Sequence, residues 1–505
     1  MSHSFVLGID QGSSGSKAVI LDCDGTVCGY AYRPLERIYP QPGWVEQDPT
    51  AVSQGVSEAV AEAVGRAGIH PNEIAACGIT GQRNTAFAWN GRTRAPLANA
   101  ITWQDQRTLP LIKELAAWPL IGEAQRRLGY VPGTYMASLH LAWRMKHDTA
   151  VREAAQSGDL QIGLSPAWLL TALGQPAGHA MDTSLVQAMG VYDFRAACYW
   201  QEWLDYLGIP LAPLPQPVPT IHDYGTLHVT APDGRSADVP VLAMIGDQQS
   251  ALFGHNCRRK GAAECTHGTA SYVKVFLDDQ APDQEKINVY NAWHLGQQQT
   301  YCLEAPTTVT GAAIRWMRDN ARLFDSYEEM DELAASVPDA GDIVYVPAFT
   351  GLEVPNFEPN ARGTILGLTL GHHRGHIARA FFEAIGYQIR TILETIETEA
   401  GVTVSELLVG GGVSASDLAC QTQADLLNLP ILRPTFAETT AWAAGLLAGL
   451  GTNVWLSEAD LPPLPGTHTR FEPALDAATS DEGYGRWQKA ISFVRAWGQQ
   501  ETAAR

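Results

Sequence analysis

A carboxylate near the middle of the chain, Asp247, stands directly after an apolar run at residues 241–245 that ends at Gly246. The run predicts a buried strand, and ligands in open α/β sheets bind at the carboxyl ends of strands. Asp247 would there accept a proton from a substrate hydroxyl, and the amide of Gln248 would fix the orientation of the substrate. Asp also caps helices, and a helix-like segment begins at Ser250, so this stretch alone favours a helix cap.

The first residues predict a β-hairpin whose tip carries small residues, hydroxyls and a cation. Apolar residues 5–9 lead to Asp10, and a second strand follows at residues 18–21. Glycine and serine between them would let backbone N–H groups approach a phosphate, and Lys17 would add a point charge. The spacing differs from that of a Walker A loop, which feeds a helix. A plain polar hairpin is the alternative.

Two more predicted strands end in polar clusters, at residues 81–84 and 103–107. Arg83 and Asn84 present rigid donor edges that suit vicinal hydroxyls. Trp103 would stack on the face of a sugar or polyol. The alternatives are turn chemistry for the first cluster and core packing for the tryptophan.

The second half of the chain weakly repeats the first. Residues 263–276 predict a strand, a hydroxyl-bearing turn and a strand, and residues 407–417 predict a strand, a glycine turn and a helix start. Glycines 410–412 would let the backbone lie against a nucleotide near a helix N-terminus, and a tight βα turn explains them equally well. These repeats indicate two related α/β halves.

Further helices are expected at residues 50–65, 307–318 (entered through hydroxyl caps) and 376–399, and a polar turn is expected at residues 181–185. Three histidines adjoin the last of these helices, and no carboxylate completes a metal-binding set at fixed spacing. We therefore interpret them as solvated loop residues. They are His372, His373 and His376.

Size and composition exclude several classes of protein. The 505 residues exceed a single core, which favours two domains. The net charge of −20 argues against a nucleic-acid or anionic membrane partner. The eight cysteines form no Cys-x-x-Cys pair, which favours reduced thiols in a cytoplasm. We expect neither a signal peptide nor a membrane span, because no suitably long apolar run occurs.

Taken in order, the motifs of this chain resemble the FGGY family of carbohydrate kinases, within the actin/hexokinase/Hsp70 superfamily. The resemblance spans nearly the whole chain, and its specificity comes from the ordered set. The matching segments are Gly8-Ile-Asp-Gln-Gly-Ser-Ser, Gly43-Trp-Val-Glu-Gln-Asp-Pro, Gly81-Gln-Arg-Asn, Trp103-Gln-Asp-Gln-Arg, Gly246-Asp-Gln-Gln-Ser-Ala-Leu-Phe-Gly, His267-Gly-Thr, Asn360-Ala-Arg-Gly, His376-Ile-Ala-Arg-Ala, Gly410-Gly-Gly-Val-Ser and Ala444-Gly-Leu.

The resemblance implies an α/β fold with two ribonuclease H-like (actin-like ATPase) domains flanking a central cleft. Residues 1–245 would form the N-terminal domain, which binds the sugar or polyol and carries the phosphate loop. Residues 246–505 would form the C-terminal domain, which binds the nucleotide. The implied activity is the transfer of the γ-phosphate of ATP to a primary hydroxyl of a glycerol-like polyol or of a ketopentose such as D-xylulose.

The resemblance also assigns residues. Asp247 would be the catalytic base, and Asp10 would position Mg²⁺ through water. Substrate binding is assigned to Arg83, Asn84, Trp103, Tyr135, Asp247 and Gln248. Binding of ATP and ADP is assigned to Ser13, Ser14, Lys17, Thr269, Gly311, Arg315, Gly411, Gly412 and Ser416.

Within the family, the chain is most similar to the glycerol kinase branch, with three departures. Asn84 stands where that branch carries Glu, and an amide both donates and accepts whereas a carboxylate only accepts. This favours a longer polyol or a ketose, although the Gln-Met-His of the xylulokinase branch is missing. Arg315 and Ser416 stand where glycerol kinases carry Gln and Asn.

Two alternative functions are compatible with the same fold. A catalytically inactive sugar-binding regulator would have the same fold, but Asp10 and Asp247 both argue against it. A phosphatase or ATPase of the same superfamily would not need the polar clusters at residues 81–84 and 103–107. Family resemblance further suggests a homodimer that binds a small polyol or sugar, and the cysteine pattern favours a cytoplasmic location.

Overall fold

The structure is a computed structural model that describes residues 5–283 and 286–503. By their contacts, these residues group into two compact units. Unit 1 takes the chain through Asn256 and adds Tyr290–Tyr301 and Glu438–Pro465, and unit 2 takes the remaining residues. The predicted domain boundary between residues 245 and 246 concerns which half binds the acceptor and which binds the nucleotide, and it stays a prediction. By contacts, the first segment of unit 1 continues about ten residues further, to Asn256.

The strands of the described residues are numbered in chain order. They are β1 (Phe5–Gln11), β2 (Gly15–Asp22), β3 (Val27–Pro34), β4 (Glu46–Gln47), β5 (Ile74–Gly81), β6 (Phe87–Asn90), β7 (Ala100–Ile101), β8 (Leu160–Gly163), β9 (Gly174–Pro176), β10 (Ala180–Asp182), β11 (Tyr192–Asp193), β12 (Cys198–Tyr199), β13 (Gln216–Val218), β14 (Ile221–Thr230), β15 (Ser236–Gly246), β16 (Ala263–His267), β17 (Ser271–Asp278), β18 (Asn288–Leu295), β19 (Gln298–Pro306), β20 (Val344–Val346), β21 (Thr364–Leu366), β22 (Leu407–Gly411), β23 (Ile431–Pro434) and β24 (His468–Phe471).

The α-helices of the described residues are numbered in the same way. They are α1 (Pro49–Ala67), α2 (Leu109–Leu115), α3 (Ala124–Leu128), α4 (Ala137–His147), α5 (Thr149–Ser157), α6 (Ser165–Leu173), α7 (Thr183–Ala188), α8 (Gln201–Leu207), α9 (Asp247–Gly254), α10 (Gly311–Asp319), α11 (Tyr327–Ala335), α12 (Arg374–Ala400), α13 (Asp417–Leu427), α14 (Thr439–Gly451) and α15 (Ala477–Ala503). Short 3₁₀ helices occur at Pro71–Glu73, Ile121–Glu123, Gly412–Ala415 and Glu458–Asp460.

The main sheet of unit 1 has the strand order β3-β2-β1-β5-β15-β14-β9. Its centre is parallel, because β1 and β15 both run alongside β5 in the same direction. The register pairs Gln11 with Gly81 and Gly81 with Gly246. The three strands therefore end side by side, and the residues that follow them emerge at one edge of the sheet.

Helix α14 packs unusually close to this sheet. Its residues are almost all buried, as expected for a helix that is apolar on every face. A Cβ atom at Gly8 of β1 would overlap the carbonyl oxygen of Ala441, and one at Gly78 of β5 would overlap that of Ala444. Glycine at these positions lets the helix backbone approach the strands directly.

The main sheet that carries unit 2 has the order β18-β19-β17-β16-β22-β23-β24, and residues 290–301 of its first two strands group with unit 1. A hairpin (β16 and β17) again lies beside a parallel strand, β22, which pairs His267 with Gly411. The same pattern of hairpin and parallel strand forms β1, β2 and β5 in unit 1.

Three local expectations were wrong. The helix expected from residue 307 begins at Gly311, and no side chain caps it. The helix expected from residue 376 begins at Arg374 with His373 as its N-cap, so His373 and His376 belong to a helix start rather than to a loop. The polar turn expected at residues 181–185 is the end of β10 and the start of α7, because Asp182 accepts a capping hydrogen bond from the N–H of Leu185.

None of the described helices combines the length and the apolarity that a membrane span requires. All eight cysteines are free thiols in the structure.

Candidate active site

Asp247 is the first residue of α9 and follows β15 directly. Gly246 is the N-cap of the helix, so the carboxylate of Asp247 does not serve as the cap. Its Oδ1 atom accepts a hydrogen bond of 2.8 Å from the N–H of Gln248 and lies 3.7 Å from Nε of Arg83. The Asp247 side chain is 26% exposed, whereas that of Arg83 is 8% exposed. A carboxylate held beside a buried guanidinium is therefore still open to a substrate.

Aromatic rings line the side of Arg83. Its guanidinium carbon lies 4.6 Å from the ring centre of Tyr290, which stacks on Tyr130 at 5.0 Å. The ring centre of Tyr135 lies 6.2 Å from that of Tyr130, and the hydroxyl of Tyr135 donates to the carbonyl of Val131. Tyr135 was expected at this site, but Tyr290 was not, since it comes from a strand about 200 residues later and lies in no recognised motif.

Asn84 follows Arg83 on the same loop and is 8% exposed. Its Oδ1 atom is buried, and among the described residues it has no hydrogen-bond partner. A buried polar atom without a partner costs about 1–3 kcal/mol, which a substrate hydroxyl donating to it would recover. Asn84 has a φ of 63°, a left-handed conformation that Asn adopts more readily than most residues.

Asp10 and Lys17 are paired across the hairpin of β1 and β2. Burial raises the pKa of Asp10 to about 7; the charge of Lys17 opposes this, and the charges of Asp247 and Glu438 add to it. Lys17 forms an ion pair of 2.7 Å with Glu438. Burial acts to lower the pKa of Lys17, but the hydrogen bond and charge of Glu438 raise it overall. Glu438 was missed because 421 residues separate it from Lys17.

The tip of this hairpin turns its carbonyl groups toward the protein. The carbonyl of Ser13 accepts from Gln47, and that of Ser14 accepts from the N–H of Leu35 and the hydroxyl of Tyr32. Among the described residues, no protein hydrogen bond from the N–H groups of Ser13 or Ser14 is present. Two such N–H groups near a lysine suit an anion. The indole N–H of Trp103 donates to the Ser13 hydroxyl at 3.3 Å.

In unit 2, three predicted nucleotide residues lie on turns that touch one another. The carbonyl of Gly268 accepts from the N–H of Gly311, and the carbonyl of Thr269 accepts from the N–H of Thr310. Gly411 has a φ of 87°, and a Cβ atom there would overlap the carbonyl oxygen of His267. The turn around Thr269 is thus packed against both other turns through backbone atoms.

The remaining predicted nucleotide residues differ in their surroundings. A Cβ at Gly412 would meet open space, which leaves this position accessible. Ser416 is the N-cap of α13, accepts from the N–H of Ala419 and bonds to Asp331. Arg315 is exposed on α10.

Within the described residues, no three His, Cys, Asp or Glu side chains are grouped to hold a metal ion. Magnesium in phosphate-transferring sites is commonly held by one or two carboxylates, waters and the phosphates themselves. Asp10 and Asp247 are close enough for their charges to interact. This donor set therefore fits a magnesium ion that arrives with a nucleotide.

Comparison with known proteins identifies the family. Residues 5–254 match the N-terminal domain, and residues 263–451 the C-terminal domain, of the FGGY family of carbohydrate kinases. This chain belongs to the FGGY family of carbohydrate kinases. It is 38% identical over 498 residues to a glycerol kinase of Symbiobacterium thermophilum, covering 98% of this chain and 99% of that protein. It is 35% identical over 494 residues to glycerol kinase 2 of Thermotoga maritima, covering 98% of this chain and 99% of that protein.

Solved structures of the family share the fold of this FGGY kinase. The ADP complex of Plasmodium falciparum glycerol kinase gives a TM-score of 0.89 at 24% identity and covers 97% of this chain and 98% of its own. The xylulose kinase of Rhodospirillum rubrum gives 0.85 at 22% identity and covers 98% of this chain and 100% of its own. The predicted two-domain α/β fold is confirmed, as is the predicted enzyme class, a phosphotransferase that acts on an alcohol group. The nucleotide substrate is ATP, and nothing in these comparisons supports an inactive regulator.

Proposed function

We propose that this kinase transfers the γ-phosphoryl group of ATP to a primary hydroxyl of a small polyol or ketose, with Asp247 as the base. The carboxylate takes the proton of the hydroxyl, the oxygen forms a bond to the γ-phosphorus, and the bond from that phosphorus to the β–γ bridging oxygen breaks to release ADP. The observation that carries the proposal is the position of Asp247 at the parallel strand edge, 3.7 Å from Arg83.

The phosphate groups are assigned to the hairpin of β1 and β2. Its Ser13 and Ser14 N–H groups and Lys17 would cradle them, which requires Lys17 to leave Glu438 or to share it. Asp10 would hold Mg²⁺ through water, and the ion would spread negative charge over the phosphate oxygens. Adenosine binding is assigned to the turns of unit 2 that carry Thr269, Gly311, Arg315, Gly411, Gly412 and Ser416.

Little bond-making chemistry falls to the protein in such a transfer, so positioning and charge stabilisation must supply most of the rate. Arg83, Asn84, Trp103, Tyr135 and Gln248 would position the acceptor. Tyr290 joins this set because its ring supports the guanidinium of Arg83. A guanidinium in contact with both a ring and a carboxylate presents its remaining donors in one orientation.

The finer choice of substrate depends on Asn84. Its side chain is one methylene shorter than the Glu of the glycerol kinase branch, and its amide offers both a donor and an acceptor. We expect an acceptor that is longer than glycerol and that places a hydroxyl against Oδ1 of Asn84. Erythritol, xylitol and the ketopentoses meet this condition.

A coupled assay of ADP release over a panel of acceptors tests the proposal. The panel is glycerol, erythritol, xylitol, xylulose, ribulose and gluconate. We expect turnover with at least one four- or five-carbon acceptor and a lower kcat/KM for glycerol. No acceptor-dependent ADP release with any compound would contradict the proposal, and ADP release without an acceptor at the same rate would indicate an ATPase instead.

We also expect a cytoplasmic homodimer with no nucleic-acid or membrane partner. Gel filtration with light scattering would measure the subunit number.

A further inference from the structure

A chain of buried side-chain amides connects the loop of Arg83 and Asn84 to the hairpin of β1 and β2. Its members are Gln82, which starts that loop, Gln47 at the end of β4, and Gln11 at the end of β1. All three are at most 1% exposed. Three neighbouring glutamines hidden from water are unusual, since glutamine is mostly exposed in folded proteins.

The hydrogen bonds of this chain run in one direction. The hydroxyl of Thr85 donates to Oε1 of Gln82 at 2.9 Å, and Nε2 of Gln82 donates to Oε1 of Gln47 at 2.8 Å. Nε2 of Gln47 then donates to the carbonyl of Ser13 at 3.0 Å. Nε2 of Gln82 also donates to Oε1 of Gln11 at 3.1 Å. Each bond leaves the next amide more polar, so the members strengthen one another.

Its two ends lie at different parts of the proposed site. Thr85 directly follows the residues assigned to the acceptor, and Ser13 belongs to the residues assigned to the phosphates. A second connection arrives at the same serine, because the indole of Trp103 donates to the Ser13 hydroxyl. The carbonyl of Ser13 thus accepts from Gln47 and, at 3.4 Å, from Nε of Arg37, and its hydroxyl accepts from Trp103. Its N–H remains for a phosphate.

We propose that Gln82 and Gln47 are positioning residues that couple occupancy of the acceptor site to the geometry of the phosphate hairpin. A bound acceptor orders residues 82–85, and the amide chain passes this order to Ser13, so nucleotide phosphates bind more tightly once the acceptor is present. This inference rests on the proposed roles of the two loops. It adds that the two ligands bind cooperatively and that ATP hydrolysis without an acceptor is suppressed.

Gln82→Met tests the proposal, because methionine matches the length of glutamine and offers none of its N–H donors. The backbone bond from the N–H of Gln82 to the carbonyl of Gln11 remains in this variant. We expect the acceptor to lower the Kd of a non-hydrolysable ATP analogue in the wild type and to lose this effect in Gln82→Met. The variant's KM for ATP should rise about tenfold, the loss typical of one orienting hydrogen bond.

Four companion variants separate coupling from general damage. Gln47→Met should match Gln82→Met, and the double variant should be no worse than either, because both changes break one chain. Thr85→Val should have a smaller effect, since the bonds to Gln47 and Ser13 stay intact. Gln54→Met is the control, because this exposed glutamine on α1 lies outside the amide chain and its Nε2 donates to Glu58.

Hydrogen exchange at the N–H of Gly12, which donates to the carbonyl of Gly15 at the hairpin tip, gives a measurement that needs no acceptor. It should be faster in Gln82→Met and Gln47→Met than in the wild type and in Gln54→Met. Unchanged exchange, or fully additive effects in the double variant, would overturn the coupling role even if the enzyme phosphorylates a polyol. Conversely, the wild type could phosphorylate no compound on the panel while exchange in the variants changes as expected. That result would overturn the proposed function but not the structural role of the amide chain.

Discussion

The edge of the unit 1 sheet and the edge of the unit 2 sheet begin with the same strand pattern and end in different chemistry. In unit 1 the hairpin and the parallel strand lead to Asp10, Arg83 and Asp247, whose charges interact. In unit 2 the corresponding strands lead to glycines, hydroxyls and one buried histidine, His267. The first edge presents charged side chains, and the second presents mainly backbone groups and hydroxyls.

His267 shows how the second edge is held. Burial lowers its pKa to about 4, so the ring is neutral. Nε2 donates to Oε1 of Gln423, and Nδ1 accepts from the hydroxyl of Ser271, whose oxygen accepts from Thr310. These bonds join neutral groups, and the charge of Glu264 acts to raise the pKa of His267 without overcoming the effect of burial. A substitution at Asp247 or Asn84 of the unit 1 edge should therefore change rate or specificity, whereas one at the unit 2 edge should change the fit of the nucleotide.

The largest effect expected on the unit 1 side comes from Asp247→Asn. The amide has nearly the same shape but cannot take the proton, so kcat should fall about 10²- to 10⁴-fold while the acceptor still binds. Steady-state kinetics and acceptor binding by calorimetry would measure the two quantities. Asp205→Asn on the exposed face of α8 is the matched control. Turnover within about tenfold of the wild type would exclude Asp247 as the base.

The corresponding change in unit 2 is Gly411→Ala. A Cβ there would overlap the carbonyl of His267, and the φ of 87° is strained for alanine. We expect the turn to shift at a cost of about 1–3 kcal/mol, which raises the KM for ATP roughly tenfold to a hundredfold and leaves the KM for the acceptor nearly unchanged.

Gly485→Ala in α15 is the control for this change, since a Cβ there meets open space and alanine favours a helix. If Gly411→Ala changed the acceptor KM as strongly as the ATP KM, the separation of roles between the two edges would be lost.

The sequence predicts a residue at one of these edges when a pattern in its own neighbourhood places it there. It does not predict a residue that reaches the edge from a distant part of the chain. Asp10 lies near the end of β1, Arg83 comes two residues after β5, and Asp247 follows β15 directly. Parallel strands end together, so local patterns suffice to place these residues at one edge. Tyr290 and Glu438 reach the same edge from distant segments, and no local pattern predicts their registers.

The start of α10 shows a second limit. Thr307 and Thr310 have the composition of helix caps, and a helix from residue 307 was expected. In the structure both hydroxyls belong instead to the buried hydrogen-bond chain of Ser271, and the helix begins later. A tertiary partner has replaced the local capping preference.

A change within the unit 1 edge, Asn84→Glu, should alter specificity more than rate. The longer carboxylate accepts but does not donate, so kcat/KM for glycerol relative to xylulose should rise about tenfold. Asn84→Gln is the matched control, because it adds the same methylene without the charge. Glu and Gln both adopt the left-handed φ of 63° at this position less readily than Asn, so the two variants should lose a similar amount of stability. An unchanged ratio across the acceptor panel would show that Asn84 does not select the substrate.

The smallest expected effect concerns a buried carboxylate behind the unit 1 edge. Asp182 bonds to the hydroxyl of Ser184, which in turn accepts from the N–H of Gly246, the residue before Asp247. Burial raises the pKa of Asp182 from 3.8 to about 6, although hydrogen bonds from Ser184, Leu185 and Thr220 oppose the rise. At the unit 2 edge the buried His267 is neutral near neutral pH, so a substitution there should show no such titration.

Because the folded state holds this proton more tightly, its stabilising contribution is complete below pH 3.8 and is lost as the pH rises through 6. Asp182→Asn removes the titration. The melting temperature of the variant minus that of the wild type should therefore be larger at pH 7 than at pH 5, by a few degrees for about 1 kcal/mol. Differential scanning calorimetry at the two pH values measures this, with Asp205→Asn as the control. If the melting-temperature difference between variant and wild type were equal at both pH values, Asp182 would already be ionised in the folded protein at pH 5. The buried charge behind the unit 1 edge would then cost no stability between these pH values.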